Sequence, residues 1–253
     1  MNIVTKINEW RQIRKNLTGK TIGFIPTMGH LHAGHLSLCQ RSKNENDITV
    51  VSIFVNPTQF NQSSDFDLYP RTIGQDQELL KTIAVDYILL PNPQEMYPDN
   101  YEVKMNETLI SAELEGEFRP GHFSGMLTVV LKFLNLVRAD NAYFGEKDFQ
   151  QLLLIKKMAD AIFLSTHIIG CETLRAEDGL ALSSRNSRLN VQQREQAKNF
   201  PALLQSELSA ELIKEKLQEL GFKVDYIIEK WQRRLGAVWI DDVRLIDNIR
   251  IGK

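Results

Sequence analysis

The sequence predicts an α/β protein, a parallel Rossmann-like sheet followed by a smaller α+β region, on three observations. Short β-rich runs alternate with helical patterns through the first two thirds of the chain. The polar, glycine-bearing segments fall directly after those runs. The rhythm then breaks at Arg175-Ala176-Glu177-Asp178-Gly179. Alternation of this kind is the βαβ rhythm of a parallel sheet, in which ligands collect beyond the carboxyl ends of the strands. At 253 residues the chain suffices for a large and a small domain, each with its own core.

In chain order, the pattern predicts a strand over 21–25 and a helix from about Ala33, then a strand over 48–55 and a helix over 72–84, with a third strand over 86–90. A second round gives a helix over 123–137, a strand over 141–144, a helix over 146–162 and a strand over 166–169. Beyond the break come a helix capped at Asn190, a helix over 210–220, and short strands near 224–228 and 238–240. In the 210–220 helix, Leu212, Ile213, Leu217 and Leu220 share one face, which reads as a packing face. The expected domains are 1–173, binding ligand on the sheet, and 177–253, a small C-terminal lid.

Composition narrows the function class. Hydrophobic residues make up 43% and charged residues 25%, with a formal net charge of -2, which argues against a general nucleic-acid binder. A polyanionic ligand therefore needs cations gathered locally. Cys39 and Cys171 match no metal or redox spacing and read as buried thiols in a reducing compartment. Residues 1–16 are charged, and no apolar run approaches a membrane span, so the expectation is a cytoplasmic protein with no membrane partner.

The most informative segment is Pro26-Thr27-Met28-Gly29-His30-Leu31-His32-Ala33-Gly34-His35. The preceding strand delivers the chain to the sheet edge, Met28 and Gly29 turn it, and the helix behind presents unpaired N–H groups and a partial positive charge to an anion. Gly34 lets a ligand approach the backbone, and His32 and His35, three apart on the same helical face, can donate to one phosphate. Zinc is the rival reading of paired histidines, and it needs a third ligand that no nearby carboxylate or cysteine is spaced to supply.

Four further segments carry candidate chemistry. Ser52-Ile53-Phe54-Val55-Asn56-Pro57-Thr58-Gln59-Phe60 is a strand ending in a polar turn whose amides suit a hydroxylated carboxylate, although alone it reads as an Asn-Pro turn. Glu117-Phe118-Arg119-Pro120-Gly121-His122-Phe123 puts a guanidinium and an imidazole at the start of an apolar helix. Gly145-Glu146-Lys147-Asp148-Phe149-Gln150-Gln151 combines a phosphate-seeking lysine with two acids suited to Mg²⁺ or a ribose, where acids are also ordinary first-turn residues. Asp178-Gly179-Leu180-Ala181-Leu182-Ser183-Ser184-Arg185-Asn186 sets two hydroxyls beside a guanidinium, a grip for a triphosphate tail or a plain linker. Asp65-Phe66-Asp67-Leu68-Tyr69-Pro70-Arg71 decides nothing by itself.

Taken in order, P-T-M-G-x-L-H-x-G-H-L, S-I-F-V-N-P-T-Q-F, D-F-D-x-Y-P-R-T, R-P-G-H-F-x-G, F-G-E-K-D-F-Q-Q and D-G-L-A-L-S-S-R-N resemble the pantothenate synthetase (pantoate and β-alanine ligase) family of the HxGH nucleotidyltransferases. The likeness runs from Ile22 to about Leu189 and resumes at Val243-Arg244-Leu245-Ile246-Asp247-Asn248. His30 and Ala33 fall on variable motif positions, and the stretch between Gly221 and Asn248 is shorter than the family's usual C-terminal domain.

The resemblance implies ligation of (R)-pantoate and β-alanine to pantothenate through a pantoyl adenylate, with ATP as substrate, Mg²⁺, and AMP and pyrophosphate as products. It also implies a homodimer. It places ATP on Met28, Gly29, His30, Leu31, His32, Ala33, Gly34 and His35, on Gly145, Glu146, Lys147 and Asp148, and on Leu174, Leu182, Ser183, Ser184 and Arg185. Pantoate falls on Gln59 and Gln151, and β-alanine on Gln59. His35, His32, Lys147 and Arg185 take the catalytic positions, with Asn56, Tyr69, Arg119 and His122 in support. The family usually assigns proton donation to His35, whereas the chemistry of an anion attacking an anion puts charge stabilisation first. An aminoacyl-tRNA synthetase fragment shares H-x-G-H, but calls for a lysine-rich second signature and a basic appendage. A nucleotide-binding regulator would drop the substrate amides Gln59 and Gln151.

Overall fold

The computed structural model describes residues 1–61 and 66–252. Asp65, at the head of the Asp65 to Arg71 segment, and Lys253 lie outside the described residues. The chain forms two compact units, Met1–Gly145 with Gln150–Cys171, and Glu146–Phe149 with Glu172–Lys253. The second unit thus also takes a four-residue turn that the sequence reading left in the first domain.

The first unit is built on a parallel sheet of β1 (Asn2–Val4), β2 (Ile22–Thr27), β3 (Ile48–Ile53), β4 (Tyr87–Leu89), β5 (Asn141–Gly145) and β6 (His167–Cys171), in the order β1-β4-β3-β2-β5-β6. β2 and β3 read as nearly continuous apolar runs because helices cover both faces of such a sheet. They pair over their full length, from Ile22 opposite Ile48 to Thr27 opposite Ile53. β2 touches β5 only at Gly23 and Phe24, so the pairing ends before Pro26, which has no N–H to contribute. The chain runs from β2 outward to β3 and β4, then returns to place β5 on the other side. The carboxyl end of β2 is therefore a topological switch point.

The expected helices are present at Ala33–Glu45, Ile73–Thr82 and His122–Val137. The N-terminal segment, read only as charged, supplies edge strand β1 and the helix Ile7–Asn16, anchored by buried Trp10, whose Nε1 donates to the Leu136 carbonyl at 2.9 Å. The single helix expected over 146–162 is instead a 3₁₀ turn, Glu146–Asp148, followed by the helix Phe149–Ala161. Ile25, Leu38, Cys39, Val51, Leu80 and Ile88 form part of the core against the sheet.

The second unit carries the antiparallel sheet β7 (Lys223–Lys230), β8 (Arg233–Ile240) and β9 (Val243–Arg250), paired in that order. β7 and β8 meet through a two-residue turn, Trp231 and Gln232, both at positive φ, the geometry that matches strand twist. β9 and the first half of β8 escape the hydropathy pattern because buried Arg233, Arg234, Asp247 and Asn248 interrupt it. Asn190 caps the helix Val191–Ala197 as expected, with Gln193 closing the capping box. On the helix Ala210–Glu219 only Ile213 and Leu217 of the four expected residues are buried. Leu212 and Leu220 are 38% and 44% exposed, so the packing face is narrower than its sequence pattern.

Candidate active site

Beyond Thr27 the chain turns sharply through Gly29 (φ +85) and His30 (φ +51). Thr27 Oγ1 receives the Gly29 N–H at 3.2 Å and donates to the Ser52 carbonyl at 2.8 Å, tying the turn to β3. A Cβ at residue 29 would stand 3.0 Å from both Asp76 Oδ2 and Ile53 Cγ2, so the left-handed backbone and the space both favour glycine. Asp76, 1% exposed in the first turn of Ile73–Thr82, accepts the His30 N–H at 3.0 Å and the Leu31 N–H at 2.8 Å. The loop ahead of the helix is thus held by a buried carboxylate 45 residues away from Leu31 in sequence.

His32 is the cap of Ala33–Glu45 rather than a residue inside it, with an extended backbone. Its Nδ1 accepts the Gly34 N–H at 3.2 Å, and His35 Nδ1 accepts the His32 N–H at 3.3 Å. A ring nitrogen that accepts carries no proton, so in each neutral imidazole the proton is on Nε2. The two rings stand 4.1 Å apart. The arrangement sets two Nε2–H donors side by side at a helix N-terminus, chemistry suited to an anion.

After β3, Asn56 precedes and Gln59 ends a short turn, Pro57–Gln59. Asn56 is fully buried: its Nδ2 donates to Gln59 Oε1 and to the Gly125 carbonyl, both at 3.1 Å, and its Oδ1 accepts from Tyr97 at 2.7 Å. Gln59 Nε2 reaches Met28 Sδ at 3.1 Å, which brings the glutamine against the loop that follows β2. His122 is buried, with Nδ1 2.7 Å from the Gln59 carbonyl and Nε2 3.1 Å from Arg119 Nη1. A guanidinium only donates, so Nε2 accepts and Nδ1–H donates, fixing the backbone of Gln59. Arg119 also approaches Glu115 at 3.8 Å. Arg119 and His122, expected from sequence at an anion-friendly helix start, contact each other and brace this turn. Tyr69 is buried with its ring 5.6 Å from that of Phe60, and Arg71 donates to the carbonyls of Phe66, Asp67 and Tyr69 in its own loop. Gln151 is half-buried on Phe149–Ala161, while its neighbour Gln150 is buried and spends its amide on Ile110, Glu113 and Glu115.

In the second unit, Lys147 lies 3.7 Å from the Asp148 carboxylate in the 3₁₀ turn. Leu174 and Leu182, distant in the motif order, are joined by the Leu182 N–H to the Leu174 carbonyl at 2.9 Å, across a tight hairpin whose bridge is Arg175 to Ala181. Arg175, at the break in the strand–helix rhythm, grips Asp247 with its guanidinium at 2.6 and 3.0 Å. Ser183 caps the short helix Ser184–Arg188, accepting the Arg185 N–H at 3.2 Å. Among the described residues no three His, Cys, Asp or Glu side chains gather to hold a metal ion.

Sequence reasoning missed Asp76, Tyr97 and Arg233, and named Asn248 only as the end of a family motif, with no role. An acid in a helical first turn reads as an ordinary dipole partner, so Asp76 carries no distinguishing signal. Burial raises the Tyr97 hydroxyl above the usual tyrosine range, which keeps it a donor to Asn56.

Comparison with known proteins adds three kinds of likeness. The family model described as Pantoate-beta-alanine ligase matches residues 2–250. A pantothenate synthetase of Coxiella burnetii is 50% identical, over 99% of this chain and 97% of that protein. A crystal structure of pantoate-beta-alanine ligase from Francisella tularensis, complexed with beta-gamma ATP and beta-alanine, superposes with a TM-score of 0.95 at 43% identity, over 99% of this chain and 97% of that one. Pantothenate synthetase from Thermus thermophilus superposes with a TM-score of 0.91 at 35% identity over the whole of both chains.

Proposed function

The chain belongs to the pantoate-beta-alanine ligase family, and from that premise we propose that it condenses (R)-pantoate with β-alanine through a pantoyl adenylate. In the first step a pantoate carboxylate oxygen bonds to the α-phosphorus of ATP and the bond to the β-phosphate breaks, releasing pyrophosphate. In the second, the β-alanine amine attacks the acyl carbon, the bond to AMP breaks, and the amine loses a proton. No covalent enzyme nucleophile is needed.

The observation that supports this reading is the His32–His35 pair at the head of Ala33–Glu45, with each Nδ1 accepting a backbone N–H, which assigns donor chemistry to each Nε2. An anion attacking an anion meets an electrostatic barrier, and preorganised donors lower it without needing a proton transfer. His32, His35, Lys147 and Arg185 serve that role, with Met28 to Gly34, Gly145, Glu146, Asp148, Leu174, Leu182, Ser183 and Ser184 on the nucleotide. Gln59 and Gln151 bind pantoate, Gln59 also meets β-alanine, and Asn56, Tyr69, Arg119 and His122 support them. The Francisella tularensis relative, crystallised with a nucleotide and beta-alanine, supports ATP and β-alanine as ligands of this chain.

Mg²⁺ enters as part of the ATP substrate. The family resemblance supports a homodimer, and two buried free cysteines fit a reducing cytoplasm. A solution mass of 29.1 kDa would refute the dimer.

The test of the adenylate is stoichiometric. Enzyme in substrate amounts, given ATP, Mg²⁺ and pantoate without β-alanine, releases about one pyrophosphate per site, as a two-step scheme requires. Pyrophosphate that appears only after β-alanine is added would overturn it.

A further inference from the structure

A lysine places a compact charge at the end of a flexible stem. Its value to a phosphate depends on where its backbone is fixed, because a misplacement of ~1 Å can cost ~10²-fold in rate. In the second unit, the Glu146–Phe149 turn that carries Lys147 is fixed by two buried side chains of the small sheet. Asn248 on β9 donates from Nδ2 to the Glu146 carbonyl at 2.9 Å and to the Lys147 carbonyl at 2.8 Å. Its Oδ1 accepts from Arg233 Nη1 at 2.7 Å. Arg233 on β8 also forms an ion pair through Nη2 with the Glu146 carboxylate, and its guanidinium stacks 4.1 Å from the Phe149 ring centre.

Asn248 is 3% exposed and Arg233 7%. Burying an amide and a guanidinium is costly unless their groups are matched, and here both donors and the acceptor of Asn248 are used. The Asn248 N–H is itself held by Asp247 Oδ1 at 2.7 Å, and Asp247 by Arg175. The chain of support runs from Arg175 through Asp247 and Asn248 to the carbonyl of the lysine.

We propose that Asn248 and Arg233 are positioning residues for Lys147, setting its backbone by gripping the turn that bears it. The proposal rests on the reading of Lys147 as a phosphate-binding residue. Neither residue contacts the reacting atoms by this account.

The test is a double-mutant cycle on the full-length enzyme, measuring ATP-dependent pyrophosphate release, pantoate affinity without ATP, and Tm. N248A lowers kcat/KM for ATP by ~10- to 100-fold, the scale of a misplaced catalytic group, and leaves pantoate affinity unchanged. In a K147A background the same change costs less than about 3-fold, because a residue that acts through Lys147 has nothing left to position. R233K retains the charge but not the fork that spans Asn248 and Glu146, so it gives a smaller loss with the same dependence on Lys147. It carries the cycle should N248A fail to fold. Equal losses in the wild-type and K147A backgrounds would overturn the proposal and leave a purely structural network. If K147A alone leaves kcat/KM for ATP unchanged, the reading of Lys147 itself is wrong.

Discussion

The histidines of this chain are distinguished by which ring nitrogen the protein occupies. His32 and His35 accept at Nδ1, which assigns the donor to Nε2, whereas His122 donates at Nδ1 and accepts at Nε2, a brace for Gln59. His35→Ala therefore lowers pyrophosphate release by ~10²-fold, the usual effect of deleting one positioned donor. His167→Ala, at the exposed start of β6, stays near wild type in the same assay. Equal losses in both would remove the distinction. For Gln59→Ala, calorimetry should show weaker pantoate binding with ATP affinity near wild type, because an uncharged amide contributes little against a triphosphate. The reverse pattern would reassign the residue.

At the scale of elements, the helix His122–Val137 is pressed against the Asn56 turn so closely that Gly125 has no room for a side chain. A Cβ there would meet the Thr58 carbonyl oxygen at 2.2 Å and the Gln59 nitrogen at 2.7 Å, both backbone. Gly125→Ala must shift the turn, at a cost of roughly 1–3 kcal/mol of overpacking, which lowers Tm by roughly 2–12 °C. Because the shifted turn bears Gln59, the KM for pantoate rises as well. A normal Tm and KM would mean that the helix moves away without disturbing the turn. The same scale explains the division of labour between Gln150 and Gln151. One step along a helix rotates the side chain by about a quarter turn, so one glutamine faces a buried loop and its neighbour does not.

For the whole molecule, stability at high pH depends on groups that burial keeps neutral. Burial pushes the Cys39 thiol up from 9.0 to about 12 and the Tyr143 hydroxyl, helped by the adjacent Glu45 carboxylate, from 10.0 to about 12. Both are raised above their unfolded values, so the folded state holds these protons more tightly. That contribution is complete below the ordinary thiol range and is lost as pH rises from about 9 towards 12. The melting temperature should hold through neutral pH and fall across that window. A Tm flat to pH 11 would show that neither group is coupled to folding. At neutral pH the same burial leaves Cys39 a poor nucleophile, unlabelled by thiol reagents until the chain unfolds.

The sequence by itself determined the parallel sheet, the loop and helix that follow β2, and the ordered motifs that mark the family. Each is written in short-range terms: hydrophobic period, turn residues, and spacing within one segment. Only the tertiary structure decided what holds those motifs in place. Asp76 reaches the backbone of His30 and Leu31 from another helix, and Asn248 reaches the carbonyl of Lys147 from about a hundred residues away. Arg233 and Arg234 hide a strand because a buried charge looks like surface until its partners are known. Local pattern reports how a segment buries its own apolar side. The partners of a buried polar group are fixed by long-range topology, which no single window of sequence contains.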